Sequence, residues 1–449
     1  MMTHTGGNRC SLAVKVRHEP EMMIWQWVLA FLLIVLFPLS AWSQEQIVSG
    51  ETLDVERCIG IGLKNHPNVA GAEGTVRASR SRVYEAKSGY WPQVSATGAY
   101  SRNRGGGTSG LTGRESFNQY QGAVGLNQTI LDFGRTSSEV EVEKWGAQAS
   151  EEDLQDTSRQ IVYGVQEAYY GILQAQERRD ADEEAVKQFE LHLEQAKKFY
   201  EVGTRARIDV TNAEVNLGQA KQALINAENA VKIAKVTLNN AMGVPDAPEY
   251  KIEETAGFKD YPIELETALK RGYENRPDLA SARARYEGAK RSVEVARTGY
   301  YPVLSGNAQY GYGGEEFPLE NEWTFGATLS IPIFSGFLTK YQVEESRGNV
   351  EVARANEAFI RQGVTLEIQQ AYYNLQDVRE RIGVAELTMR QAKENRELAQ
   401  GRYAAGVGST IEVTDAVVTE VNARTAYITA LYDYHTAVAA LQRAMGERR

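Results

Sequence analysis

Along the chain the spacing of apolar positions switches from helical to alternating and back to helical, and it does so twice. Between Arg135 and Phe199 apolar side chains recur at helical intervals: Leu154, Ile161, Val165, Tyr169 and Ile172, then Phe189, Leu193 and Ala196, and on to Tyr200. This predicts one nearly continuous amphipathic helix, far longer than the helices of an ordinary core. Ile208 to Met242 and Asn68 to Gly89 read as two shorter helices whose summed length nearly matches it. The same relation holds for Leu338 to Arg402 against Ile411 to Met445 and Asp278 to Gly299. Helices of this length cannot fold back into a compact core, so they are expected to pack laterally as a coiled coil, with many alanines permitting close approach.

Four segments change to a period of two. Val94, Ala96, Gly98 and Tyr100 alternate with Gln93, Ser95, Thr97 and Ala99, and Tyr120, Gly122, Val124 and Leu126 alternate with Gln121, Ala123, Gly125 and Asn127. Later, Leu304, Gly306, Ala308, Tyr310 and Tyr312 form one such face, and Trp323, Phe325, Ala327, Leu329 and Ile331 another. Strands are predicted at about 92–101, 119–131, 302–312 and 322–333. Alternation over about ten residues, with Tyr90, Trp91, Tyr300, Tyr301 and Trp323 near the ends, fits membrane-spanning barrel strands with an aromatic girdle. Pro92 and Pro302 disfavour helix at the residue before them and so mark the corners where helices give way to strands. Each strand alone is equally compatible with a small soluble sheet. A barrel must close, because an open edge leaves backbone groups unpaired in lipid, and single-chain barrels begin at about eight strands. Four per chain imply that several chains share one barrel, two copies making eight strands and three making twelve.

The recurrence reflects a duplication. Leu53–Pro67 aligns with Ile263–Pro277, and Tyr90-Trp91-Pro92 with Tyr300-Tyr301-Pro302. Past a shorter loop in the second half, Ala168-Tyr169-Tyr170 aligns with Ala371-Tyr372-Tyr373 and Ala241-Met242-Gly243 with Ala444-Met445-Gly446. The unit is too long for a solenoid repeat. The expected organisation is a signal peptide at 1–43, a first repeat at 44–243, a connector at 244–262 containing Pro245, Pro248 and Pro262, and a second repeat at 263–449.

Composition narrows the functional classes. The formal net charge is -10, which removes the electrostatic basis for binding nucleic acid. Arg9, Lys15 and Arg17 precede an apolar run from Met22 to Leu39 and a small-residue site at Ala41-Trp42-Ser43, the arrangement of a cleaved export signal. Gln26 and Pro38 interrupt that run, leaving it short of a membrane span. Of the two cysteines, only Cys58 lies past the signal, so neither an internal disulfide nor a zinc site is expected, and nothing marks a lipid attachment. The five histidines are scattered, and Gly105-Gly106-Gly107 lacks the lysine and strand-to-helix context of a phosphate loop. No catalytic residue, cofactor or metal ligand is expected.

The two helical reversals carry the most specific signal. Phe199 to Glu214 breaks the helical pattern at Gly203 and resumes it near Asp209. Arg402 to Val417 repeats it, with Tyr403, Gly406, Ile411, Val413 and Ala416 in matching places. Glycine at such a turn is ordinary helix termination. Glu412 and Asp415, three apart, share one helix face, and acids near a helix start also favour the macrodipole.

The order of elements, the duplication, the helix-to-strand corners and the Val202-Gly203-Thr204 turn resemble the TolC family of outer membrane factors, over nearly all of the chain from Leu53 to Gly446. The resemblance implies a homotrimer with a twelve-stranded transmembrane β-barrel continuous with a periplasmic α-helical tunnel. It implies an exit duct of a tripartite efflux pump in the outer membrane lipid, working with a periplasmic adaptor (a membrane fusion protein) and an inner-membrane transporter; type I protein secretion is the neighbouring possibility. By resemblance, Val202, Gly203, Thr204, Ala405, Gly406 and Val407 form the adaptor-docking turns. Glu412 and Asp415 form an acidic ring at the periplasmic gate, and Asp209 and Tyr403 belong to the gate lock. The family's arginine of the second turn falls on Gly408, with Arg205 or Arg207 of the first turn available to replace it. A different class of function is a non-conducting structural coiled-coil protein of the envelope; heat-resistant trimers with conductance distinguish the two.

Overall fold

The computed structural model describes residues 47–104, 116–254 and 257–447. The expected signal peptide, and the glycine-rich loop around Gly106, lie outside the described residues.

The first repeat opens with β1 (Thr52–Leu53), α1 (Val55–Asn65) and α2 (Pro67–Lys87). It continues through β2 (Gln93–Arg104), β3 (Ser116–Leu131), α3 (Arg135–Glu201) and α4 (Arg207–Ala241). After β4 (Lys251–Ile252) come α5 (Leu265–Asn275), α6 (Pro277–Thr298), β5 (Val303–Gly314), β6 (Glu320–Ser330), α7 (Leu338–Ala404) and α8 (Thr410–Met445). Short helices and starts are fixed locally. Asp54 caps α1 by accepting from the Arg57 amide at 2.7 Å. Proline occupies the first helical position of both α2 and α6, where its missing N–H costs nothing. The strand-to-helix corners use left-handed backbone at Phe133-Gly134 and again at Gly336-Phe337.

α3 and α7 each have 67 residues, which at 1.5 Å per residue is about 100 Å. Along its first half α3 lies beside α2 and α6; along its second half it lies beside α4 and α8. Ion pairs mark these seams: Arg80–Glu151 between α2 and α3, Arg283–Glu357 between α6 and α7, Lys221–Glu190 between α4 and α3, and Arg396–Glu420 between α7 and α8. Most are exposed and contribute little. The main stabilisation is burial of the apolar stripes, and it is duplicated as the sequence is. Val165, Ile172, Leu238 and Met242 centre one core cluster, and Ile368, Leu375, Leu441 and Met445 occupy equivalent places in another. Around these mid-length cores the short helices and the connector are pinned: Tyr169 Oη donates to the Glu253 carbonyl at 2.7 Å, and Tyr434 Oη donates to the Lys259 carbonyl at 3.1 Å.

At the far end from the tip, β2, β3, β5 and β6 form one antiparallel sheet in that order. The register aligns the apolar positions into rows. Val94 pairs with Leu126, Leu126 with Ala308 and Ala308 with Phe325; Ala96, Val124, Tyr310 and Trp323 make the next row. The opposite face carries Ser95, Gly125, Gln309 and Thr324. Phe325 and Trp323 are 81% and 74% exposed, so these apolar rows are left uncovered by the described residues. Among the described residues no helix is long and apolar enough to cross a membrane. β2 and β6 are the outer strands of this sheet, and among the described residues neither outer edge is paired.

Candidate functional site

The distal end of the helical part is made by the two reversals, α3 to α4 and α7 to α8. Their hydrogen bonds repeat atom for atom. The Gly203 amide donates to Tyr200, and those of Thr204 and Arg205 both donate to Phe199. Correspondingly, Gly406 donates to Tyr403, and Val407 and Gly408 both donate to Arg402. This double use of one carbonyl, with glycine at φ of 77° and 80°, satisfies helix ends that would otherwise be orphaned. Val202, Gly203, Thr204, Ala405, Gly406 and Val407 are all exposed, and Ile208 and Ile411 add an exposed apolar residue at the start of each return helix.

Beneath the turns the hairpins share a core. Val186, Phe189, Ala220, Tyr403, Val413 and Val417 pack with Phe199, Leu217 and Val421, so residues of α3, α4, α7 and α8 meet in one cluster. Gln400 Nε2 donates to Gln188 Oε1 at 3.1 Å, and Asn216 Nδ2 donates to Thr414 Oγ1 at 3.0 Å, each across the seam between hairpins. Tyr403 is fully buried, its ring edge-on to Phe199 at 5.5 Å. Its hydroxyl lies 3.5 Å from Thr410 Oγ1. Asp209 is half-buried in the first turn of α4, and its carboxylate makes no hydrogen bond or ion pair among the described residues. The two residues expected to lock the tip are therefore near one cluster but not bonded to each other within one chain.

The connection between turns comes from Arg205. Its Nη2 donates to the Gly408 carbonyl at 2.5 Å and reaches the Gly406 carbonyl at 3.4 Å. Its guanidinium also lies over the Tyr403 ring, 5.4 Å from the centroid. Of the two arginines considered from sequence, Arg205 makes this contact. A Cβ at Gly408 would fall 2.9 Å from the Tyr403 amide nitrogen, so the position that Arg205 serves has no room for a side chain of its own.

Glu412 and Asp415 stand on the exposed face of α8, opposite Val413, Ala416 and Val417. Ser409 caps the helix, accepting from the Glu412 amide at 3.1 Å. The Glu412 carboxylate is 3.4 Å from Arg402 Nε in a solvent-exposed pair, while that of Asp415 is unengaged among the described residues. His192 stands outside every motif drawn from the sequence. It lies at a stripe position, between Phe189 and Ala196 on the buried face of α3, and a polar residue at such a position is the signal that would have found it. Among the described residues there is no cluster of metal-ligating side chains, and the Cys58 thiol is fully buried and pushed up to about 12 mainly by that burial, so it is inert.

A four-stranded sheet with one apolar, exposed face, standing on two helices each about 100 Å long, defines a membrane channel chain with an elongated helical extension. The sequence profile described as "Outer membrane efflux protein" matches residues 59–244 and 269–447, and the chain belongs to that family. It is an outer membrane efflux channel. Its relatives include the outer membrane efflux protein BepC of Brucella suis biovar 1, 24% identical over 419 residues, which cover 89% of this chain and 87% of the relative. The outer membrane protein TolC of Vibrio cholerae is 23% identical over 404 residues, 85% of this chain and 88% of that protein. Among solved structures, the Campylobacter jejuni CmeC outer membrane channel superposes with a TM-score of 0.76 at 21% identity, covering 90% of each chain, and so shares the fold.

Proposed function

We propose that three copies of this chain close one twelve-stranded barrel in the outer membrane and one tunnel of twelve helices in the periplasm. The trimer is then the exit duct of a tripartite efflux pump, joined at its tip to a periplasmic adaptor and through it to an inner-membrane transporter. The observation that carries the reading is the sheet: an exposed apolar face with two unpaired edges is untenable in water and becomes satisfied only in lipid with neighbouring copies. The exposed turns at Val202-Gly203-Thr204 and Ala405-Gly406-Val407, flanked by Ile208 and Ile411, suit adaptor docking, because they pair small apolar contacts with backbone that a partner can approach closely. Arg205, Tyr403 and Asp209 hold the tip. The Arg205 clasp joins the two hairpins of one protomer, and Asp209, unpaired among the described residues, is left for a neighbouring copy. Glu412 and Asp415, repeated three times, place six carboxylates around the mouth.

The test is reconstitution. Heat-resistant trimers from the outer membrane fraction should conduct in planar bilayers; monomers without conductance would refute the reading. In the same recordings a polyvalent cation added on the periplasmic side should block the channel, and Glu412→Ala with Asp415→Ala should abolish that block. Block of equal strength in the double variant would remove these residues from the ring. Crosslinking in cells from cysteines placed at Gly203 and Gly406 should capture a periplasmic adaptor.

A further inference from the structure

The seam between the two hairpins buries a histidine whose ring packs on an aromatic neighbour and makes no hydrogen bond among the described residues. His192 is 2% exposed, and among the described residues neither Nδ1 nor Nε2 has a hydrogen-bond partner. It reaches from α3 to the Tyr403 ring of α7, with ring centroids 5.0 Å apart, and the opposite hairpin thereby closes over it. On the elements around it, the charged groups are Asp209 on α4, Arg205 in the first turn and the Arg396–Glu420 pair that joins α7 to α8. Lys221–Glu190, Lys197–Glu214, Lys198–Glu194, Arg396–Glu397 and Arg402–Glu412 are further pairs on these elements, and the Asp415 carboxylate of α8 points to solvent. Asp209 acts on His192 through its field alone, because no hydrogen bond joins them. The Tyr403 ring that His192 contacts is the same ring that carries the Arg205 guanidinium.

We propose that His192 makes the tip acid-responsive: protonating its imidazole separates the two hairpins of each protomer and opens the periplasmic end of the duct. The proposal rests on the reading of the tip as the gated mouth of a channel. A buried charge without a hydrogen-bond acceptor is costly, and an imidazolium would share the Tyr403 ring with a second cation. The Asp209 carboxylate opposes this only in part, since burial still leaves His192 below the usual histidine value. In the separated seam the ring regains an ordinary value near 6.5. The closed packing therefore has its full stability above about pH 6.5 and loses it progressively as pH falls from there to the depressed value. Each unit of depression changes the closed-to-open ratio about tenfold per protomer, and three protomers act on one mouth.

The experiment measures conductance of the purified trimer in planar bilayers from about pH 7.5 to about pH 5, across the range in which histidine titrates. Recordings use a Glu412→Gln/Asp415→Asn background, so that the ring carboxylates do not contribute. With His192 intact, conductance should rise several-fold on acidification with the change beginning below about pH 6.5; His192→Leu and His192→Gln should remove the rise. A rise that persists unchanged in both variants, or a flat profile with His192 present, overturns the proposal. Trimer heat resistance identifies any variant that fails to assemble. Hydrogen exchange across residues 186–205 and 396–410, corrected for the intrinsic pH dependence, reads the seam independently of conduction. It should increase in acid only when His192 is present; equal protection at both pH values overturns the proposal. A trimer that conducts at no pH defeats the duct reading instead, and the exchange measurement then still decides whether the seam responds.

Discussion

At the level of single residues, the tip turns on where one guanidinium comes from. The second turn has Gly408 where a side chain cannot be placed without moving the Tyr403 backbone, and the carbonyl of that same glycine accepts from Arg205. The arginine is supplied from the opposite hairpin, and a single side chain thus combines a charged hydrogen bond with a cation–π contact. Arg205→Ala removes both, at about 1–2 kcal/mol after allowing for its partial exposure. That corresponds to about a tenfold loss in the closed-to-open ratio, and closed-state conductance should rise accordingly. Arg207→Ala should leave it unchanged, because Arg207 makes no such contact among the described residues. Gly408→Arg should not reinforce closure. It forces backbone displacement at a cost of about 1–3 kcal/mol and disturbs the carbonyl that Arg205 uses. Equal behaviour of Arg205→Ala and the parent channel would show that the clasp does not hold the tip.

At the level of elements, nearly everything periodic could be read in the sequence. The long helices announce themselves because an apolar stripe sustained from Leu154 to Tyr200 has no other solution, and the strand pairs because their alternation changes period abruptly after Pro92 and Pro302. Gly203 and Gly406 were legible as stops, and both have left-handed backbones, at φ of 77° and 80°, with nothing within 4 Å of an added Cβ. Alanine at either position therefore meets no clash and costs only the left-handed strain, about 1–2 kcal/mol. The effect should be confined to the turn, seen as faster amide exchange over the last helical turn of α3 or α7 with little change in overall melting. A large loss of trimer stability would mean that the turns bear more of the assembly than their exposure indicates. What could not be read was contact across the duplication. Nothing in the local pattern tells Arg205 from Arg207, since which one reaches the other hairpin depends on the relative rotation of two helix pairs. His192 escaped because period analysis counts apolar positions and passes over the polar residue that fills one of them. Asp209 and Tyr403 were placed near the tip, but their relation was carried by resemblance, and within one chain they remain unbonded.

At the level of the whole molecule, the duplication explains why one chain supplies a sheet that it cannot finish. Each repeat contributes a hairpin of strands and a hairpin of helices, and the register joins β3 to β5 so that the apolar rows run through both repeats without a break. The rows set two faces against different media, and that is where the membrane reading is most exposed to test. Val124 sits in the row with Ala96, Tyr310 and Trp323 and is half-exposed within the chain, whereas Gln309 pairs with Gly125 on the opposite, polar face. If the apolar face meets lipid, Val124→Arg buries a cation at mid-strand and should cost about 2–4 kcal/mol, reducing the yield of heat-resistant trimers in the outer membrane. Gln309→Arg introduces the same side chain on the same sheet but faces the lumen, so assembly should be retained while the preference for cations over anions in bilayer recordings declines. The comparison isolates the face from the residue type. A small sheet standing in water would accept both arginines alike, because an exposed charge on either side stays hydrated. Reversal of the two results would mean that the barrel is turned inside out relative to the register, with Trp323 and Phe325 lining the pore.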